Sequence, residues 1–312
     1  MTEELRYDSI AGLVAAAEAA GEPISALVLR QQARQLEQSE EAVYARMRDT
    51  YAVMAACIEP GSEEGLRSAS GLSGGDAFRM RRAVETGKNL TGGVLGGALY
   101  RALAVSELNA AMGRVVAAPT AGSCGILPAA LLTMQNDLGC SEHDCVMALF
   151  TASAVGMVIA TNACVAGAQG GCQAECGSAA AMAAAAIVEL AGGTPAQVSD
   201  AVAIALKNIL GLVCDPVAGL VEIPCIKRNA SCVAGAFVAA ELALAGIGSA
   251  IPADETILAM KKVGDAMSSS LKETAEGGLA ATPTGQKLYE QVFGTAPAAG
   301  GGCASCGACG GR

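Results

Sequence analysis

Cys172, Cys214 and Cys225 are the residues whose type and setting most invite metal chemistry. Cys172 stands in Gly170-Gly171-Cys172-Gln173-Ala174-Glu175-Cys176-Gly177, and Cys214 opens Cys214-Asp215-Pro216-Val217-Ala218-Gly219. Cys225 lies in Ile223-Pro224-Cys225-Ile226-Lys227-Arg228-Asn229. Small residues let backbone pass close to a bulky inorganic group, and prolines stiffen the link between the second and third thiols. All three settings read as loops. An iron–sulfur cube held by four thiolates is a closed electron carrier. Held by three, it keeps one iron open as a Lewis acid, by the logic that separates catalytic from structural zinc sites. The spacing matches no compact ferredoxin run, so buried, uncoordinated thiols stand as the competing reading.

The chain has 13 cysteines in all. Cys57, Cys140, Cys145, Cys164 and Cys232 fall within apolar or helical patterns and read as core packing. Cys124 and Cys176 each flank a glycine and could line the site without binding metal. Cys303-x-x-Cys306-x-x-Cys309 in the tail has ferredoxin-like spacing but lacks a fourth ligand and a proline, so it reads as an incidental thiol cluster. No basic segment leads into an apolar stretch at Met1-Thr2-Glu3-Glu4-Leu5-Arg6. The expectation is therefore a cytoplasmic chain whose cysteines are reduced or metal-bound.

Over 312 residues, 52% are apolar, 16% charged and 3% aromatic, with no Trp. A core built from Ala, Leu, Val, Ile and Met favours close packing of Ala- and Gly-faced helices. A net charge of −10 argues against nucleic-acid binding and for small-molecule work. The stretch 145–174 has no charged residue and exceeds a membrane span, yet Thr151, Ser153, Thr161, Asn162 and Gln169 interrupt it. It reads as a buried helix followed by a polar loop, with no membrane role.

Helical periodicity runs through most of the chain. It predicts helices over 9–20, 23–37, 40–58, 77–85, 94–112, 126–138 and 142–159, then 178–191, 195–210, 229–245 and 254–271. Thr194-Pro195-Ala196-Gln197 carries the marks of a capped start. The first three helices are the most polar and are expected to form an outer layer or an interface with another chain. Only Val115-Val116-Ala117-Ala118 could be a short strand, and neither a Walker A nor a dinucleotide fingerprint occurs. The expectation is an all-α fold, a compact multi-helix catalytic domain over 1–295 with functional loops between helices. A low-complexity Gly/Ala/Cys tail over 296–312 is expected to be disordered.

The strings Ala118-Pro119-Thr120-Ala121-Gly122-Ser123-Cys124-Gly125-Ile126-Leu127-Pro128 and Gly171-Cys172-Gln173-Ala174-Glu175-Cys176-Gly177-Ser178-Ala179 resemble the iron–sulfur-dependent L-serine dehydratases. So do Cys214-Asp215-Pro216-Val217-Ala218-Gly219 and Glu222-Ile223-Pro224-Cys225-Ile226-Lys227-Arg228-Asn229. The likeness spans roughly residues 5–295 and is to the separate α chain of the two-subunit form. It implies a 4Fe-4S cluster on Cys172, Cys214 and Cys225, L-serine as substrate, and pyruvate and ammonia as products. Single-chain relatives carry a further domain with a Ser-Ser-Ser-His-Thr type segment. This chain has one histidine, His143, outside any such segment, so the resemblance implies a partner β chain.

The same resemblance favours Ser70, Gly71, Ser73 and Gly74 as substrate-carboxylate donors, where composition alone allows a plain turn. Thr120 and Ser123 offer similar donors before a helix, or an ordinary cap. Lys227 and Arg228 would neutralise the cluster or a carboxylate, or form a solvated pair. No base can be named. Neither Lys88 nor Lys227 sits in a context suited to pyridoxal phosphate. A cysteine-desulfurating lyase and a non-catalytic electron carrier are the alternative functions.

Overall fold

Hydroxyl side chains start several helices in the computed structural model, which describes residues 8–294. Ser9 accepts from the Gly12 N–H and opens α1 (Ile10–Ala20), which Gly21 closes with φ 65°. Then follow α2 (Ile24–Gln35), α3 (Glu40–Ala56), α4 (Ile58–Gly61), α5 (Asp76–Glu85) and α6 (Gly92–Ala110). Next come α7 (Ile126–Leu138), α8 (Glu142–Asn162), α9 (Gly167–Gly170) and α10 (Cys172–Leu190). The chain closes with α11 (Pro195–Lys207), α12 (Cys225–Leu244), α13 (Ala253–Ala266) and α14 (Pro283–Phe293). Thr194 and Gln197 form the expected reciprocal cap on α11.

The fold is all-α: no strand occurs among the described residues, and the extended pairing is limited to a parallel bridge between Cys214 and Lys272. Helix α10 is the axis. Every residue from Cys172 to Val188 is buried, and α7, α8, α11 and α12 enclose it. Its run of alanines lets those neighbours approach closely, as the scarcity of aromatics requires. The outer layer is α1 against α11, with α2 and α3 against α8. Among the described residues, α8 is long and apolar enough to cross a membrane, and its Cys145–Ile159 stretch is mostly buried within the fold.

Three departures from the sequence expectation bear on the site. Helix α10 begins at Cys172, not near 178, and α12 begins at Cys225, not near 229. Cys172 and Cys225 therefore head helices, and Cys214 alone lies in a loop. The glycines around Cys172 suggested a loop throughout. Only Gly171 breaks the helix (φ 78°, ψ 177°), and a side chain there would run into the Met267 thioether and the Leu212 carbonyl. Gly177 instead sits inside α10, against Ile209.

The expected helix over 254–271 stops at Ala266 and gives way to a 3-10 turn, Ser269–Leu271. The segment from there to Ala281 lies along the Cys214 loop: the Cys214 N–H donates to the Leu271 carbonyl at 2.9 Å, and the Glu273 N–H to the Cys214 carbonyl at 2.8 Å. Helix α14 was not anticipated, although Thr282-Pro283 carries its signal; the Thr282 hydroxyl accepts from the Gly285 N–H at 3.0 Å. The 296–312 tail and its Cys303, Cys306 and Cys309 lie outside the described residues.

Candidate active site

The heads of α10 and α12 and the loop after α11 bring the three thiols into one buried neighbourhood. Cys172, Cys214 and Cys225 are 2%, 3% and 6% exposed. Cys172 raises the proton affinity of the other two, and Cys225 that of Cys214. Burial first, then the Cys172 charge, pushes Cys225 up to about 12 and Cys214 well above its ordinary range. Cys172 moves the other way. Its contact with the Cys176 thiol, 3.4 Å away, lowers it against the cost of burial, and Arg228 assists.

Arg228 is the cation of this site. Its Nη1 donates to the Val213 carbonyl at 2.8 Å, and its Nη2 pairs with Asp215 Oδ1 at 2.8 Å as an ion pair rather than an aligned hydrogen bond. Its charge also favours the Cys172 thiolate. The other Asp215 oxygen accepts from the Leu279 N–H at 2.8 Å. Lys227, the neighbouring candidate, is directed elsewhere: its side chain is 77% exposed and pairs with Asp76 at 2.9 Å.

Glu175, one turn into α10, accepts from the Thr120 hydroxyl. Burial raises its proton affinity; the Thr120 hydrogen bond opposes this and nearby Glu273 adds to it. Gly167 marks where these groups meet. A Cβ built there would lie 2.9 Å from Cys214 Sγ, 3.4 Å from Glu273 Oε2 and 3.5 Å from Glu175 Oε2. The missing side chain thus lets the Gly167 backbone pass close against a thiol and two carboxylates. Ser123 is fully buried, 3.2 Å from the Thr120 hydroxyl.

Two residues that the sequence reading assigned no role tie the site together. Asn229, one turn after Cys225, donates to the Gly122 and Cys225 carbonyls at 2.7 and 2.9 Å and accepts from the Gly125 N–H at 2.9 Å. It fixes the Thr120–Gly125 turn on the head of α12. Glu222 accepts from Ser70 Oγ at 2.7 Å and Ser73 Oγ at 2.5 Å. Both hydroxyls proposed for substrate are thus engaged by a carboxylate. Gly71 and Gly74 (φ 79° and 132°) shape this turn, and the buried Glu107 accepts from the Asp76 and Ala77 N–H groups just beyond it. Glu222 and Asn229 both stand in the motif around Cys225; a buried amide or carboxylate beside a helix start is the signal that could have found them.

Among the described residues, no three His, Cys, Asp or Glu side chains stand close enough to hold a single metal ion. The thiols do not converge on one atom. A cluster that takes one thiolate per iron does not ask them to. Three buried thiols on separate segments beside a half-buried cation suit such a group better than a lone ion.

His143 is remote from this site. It heads α8, 3.0 Å from the Tyr44 hydroxyl, and lines a surface groove of about 490 Å³ with Arg48 and Met147. At 1.5 Å per residue, α8 carries the chain roughly 30 Å away before it turns toward Cys172.

The serine dehydratase alpha chain family model matches residues 19–280. The probable L-serine dehydratase alpha chain of Bacillus subtilis is 50% identical over 273 residues, covering 88% of this chain and 91% of that one. The L-serine dehydratase alpha chain of Peptoniphilus asaccharolyticus is 44% identical over 262 residues, covering 84% and 90%. An L-serine dehydratase of Escherichia coli is 40% identical over 233 residues, covering 72% of this chain but 51% of its own length. With the match running through all three thiol-bearing segments, this chain belongs to the serine dehydratase alpha chain family.

Proposed function

We propose that this chain is the cluster-bearing α subunit of an L-serine ammonia-lyase, converting L-serine to pyruvate and ammonia. The observation that carries the reading is the meeting of Cys172, Cys214 and Cys225, from three separate segments, beside one half-buried guanidinium. They would hold a 4Fe-4S cluster, whose open iron supplies Lewis acidity toward the substrate hydroxyl.

The reaction removes the Cα proton and the Cβ hydroxyl of serine. The resulting aminoacrylate tautomerises to an imine, and water then releases pyruvate and ammonia. No electron leaves the protein. Hydroxide is a poor leaving group, so a proton held nearby lowers the barrier. In this chain Glu175 Oε1 and Thr120 Oγ1 share a hydrogen bond beside the thiols, and burial favours the protonated carboxyl. That proton can pass to the departing hydroxide as water forms. Arg228 offsets thiolate charge at Cys172. Glu222 clasps Ser70 and Ser73, so the Ser70–Gly75 turn is held in place before substrate arrives.

The base for the Cα proton comes from a partner β chain in this reading. His143 stands far from the thiols, and this chain matches about nine-tenths of the two alpha-chain relatives but half of the Escherichia coli protein. Purification with the β chain under anaerobic conditions, followed by pyruvate assay on L-serine and L-cysteine, tests the proposal. Pyruvate from L-serine supports it. Turnover of L-cysteine alone would assign a desulfurating lyase, and redox cycling without turnover of either would assign an electron carrier.

A further inference from the structure

We propose that Arg228 is the positioning residue that assembles the three-thiol cavity, so that a cluster is retained only when its guanidinium is in place. The inference rests on the cluster reading above. Arg228 belongs to the first turn of α12, the turn that Cys225 opens, so it moves with the third thiol. Its Nη1 holds the Val213 carbonyl at 2.8 Å and its Nη2 holds Asp215 at 2.8 Å, the residues before and after the second thiol. Its charge also acts on the first thiol, Cys172, favouring the thiolate there. One planar fork on the Cys225 segment therefore clamps both sides of Cys214 while its charge acts on Cys172.

Only arginine can do this. Its donors fan out in a rigid plane, whereas lysine offers one compact ammonium on a flexible stem. Gln173 makes a second join: its N–H donates to the Leu212 carbonyl at 2.9 Å, and its Oε1 accepts from the Gly211 N–H at 2.8 Å. That join reaches two of the three segments and leaves α12 out. Asp215 extends the Arg228 constraint to the Leu279 N–H at 2.8 Å, fastening the 271–281 segment over the same loop.

Two variants test the role. Arg228→Lys keeps a charge and loses the fork. Arg228→Gln with Asp215→Asn removes both halves of the ion pair and leaves no lone buried carboxylate; circular dichroism and thermal unfolding check its fold. After anaerobic reconstitution with the β chain, the double variant should bind about tenfold less iron and sulfide per folded chain, the scale expected when a ligand-orienting partner is lost. The Arg228→Lys cluster should bleach in air about tenfold faster than wild type. Its loaded fraction should keep the wild-type KM for L-serine, because Arg228 orients thiols and not substrate. Full iron with wild-type bleaching in Arg228→Lys overturns the inference, as does normal iron with a raised KM. If the double variant does not fold, Arg228→Lys decides alone. Wild-type protein that takes up no cluster would instead overturn the cluster reading itself.

Discussion

Cys145 and Cys172 are both sealed within helices of the same core, yet their surroundings differ in kind. Cys145 lies in the first turn of α8, with its sulfur 3.6 Å from the Leu131 carbonyl, and burial raises it to about 11. It behaves as a small hydrophobe. Cys172 opens a helix directly after the bend at Gly171, feels the Arg228 charge, and shares its neighbourhood with Cys214 and Cys225. Burial therefore does not distinguish a ligand from packing. On the cluster reading, a break in the backbone, two thiols from other segments and a half-buried cation do.

The strongest way to break that contrast is substitution on each side of it. Cys172→Ser, Cys214→Ser and Cys225→Ser should each lower bound iron and pyruvate formation by more than about 100-fold, because an open-iron site needs all of its ligands. Cys145→Ala should leave both unchanged and cost roughly 1 kcal/mol of stability. Equal loss of iron in Cys145→Ala would erase the distinction.

Glu175→Gln sharpens the contrast within the thiol-bearing end. It keeps the hydrogen bond with Thr120 and removes the transferable proton, so kcat should fall on the order of 100-fold with the cluster spectrum retained. Wild-type kcat would place proton delivery elsewhere.

The helical architecture was legible because it rests on periodicity and caps, as at Ser9 and Thr194, which act within a few residues. The three thiols were legible as candidates from their small-residue settings. Their placement at helix starts was not, since Gly170, Gly171 and Gly177 look alike in sequence but only tertiary packing decides which one bends the chain. The separate directions of Lys227 and Arg228 were equally hidden. One faces Asp76 across the surface and the other turns inward to Asp215, a difference set by helix rotation against loops distant in sequence. Glu222 and Asn229 escaped notice for the same reason: their partners lie about 100 residues or more away.

Asn229→Ala tests how far the site depends on that long-range bonding. It leaves the Gly125 N–H and Gly122 carbonyl buried without their partner, which should cost about 2–3 kcal/mol in denaturant unfolding. A loss below about 0.5 kcal/mol would show that the Thr120–Gly125 turn holds itself.

The smallest effect contrasts the two ends of α10. Glu189, near its last turn, has its proton affinity raised by burial, while Ser25 and Thr151 hydrogen bonds oppose the shift. Because the folded state binds this proton more tightly than the unfolded one, its contribution is greatest below the ordinary carboxylate range. That contribution is lost as pH rises through the raised folded value. Glu189→Gln should flatten this decline and gain stability near neutral pH. A variant whose unfolding curve keeps the wild-type pH slope would contradict the assignment.

The most direct measurement is the EPR spectrum of the anaerobically reconstituted α and β chains, their cluster reduced by one electron with dithionite to its paramagnetic state, recorded with and without L-serine. An iron left free by three thiolates predicts a cluster signal that shifts on adding serine. A preparation that turns serine over with no cluster signal, or with one that serine leaves unchanged, would contradict it.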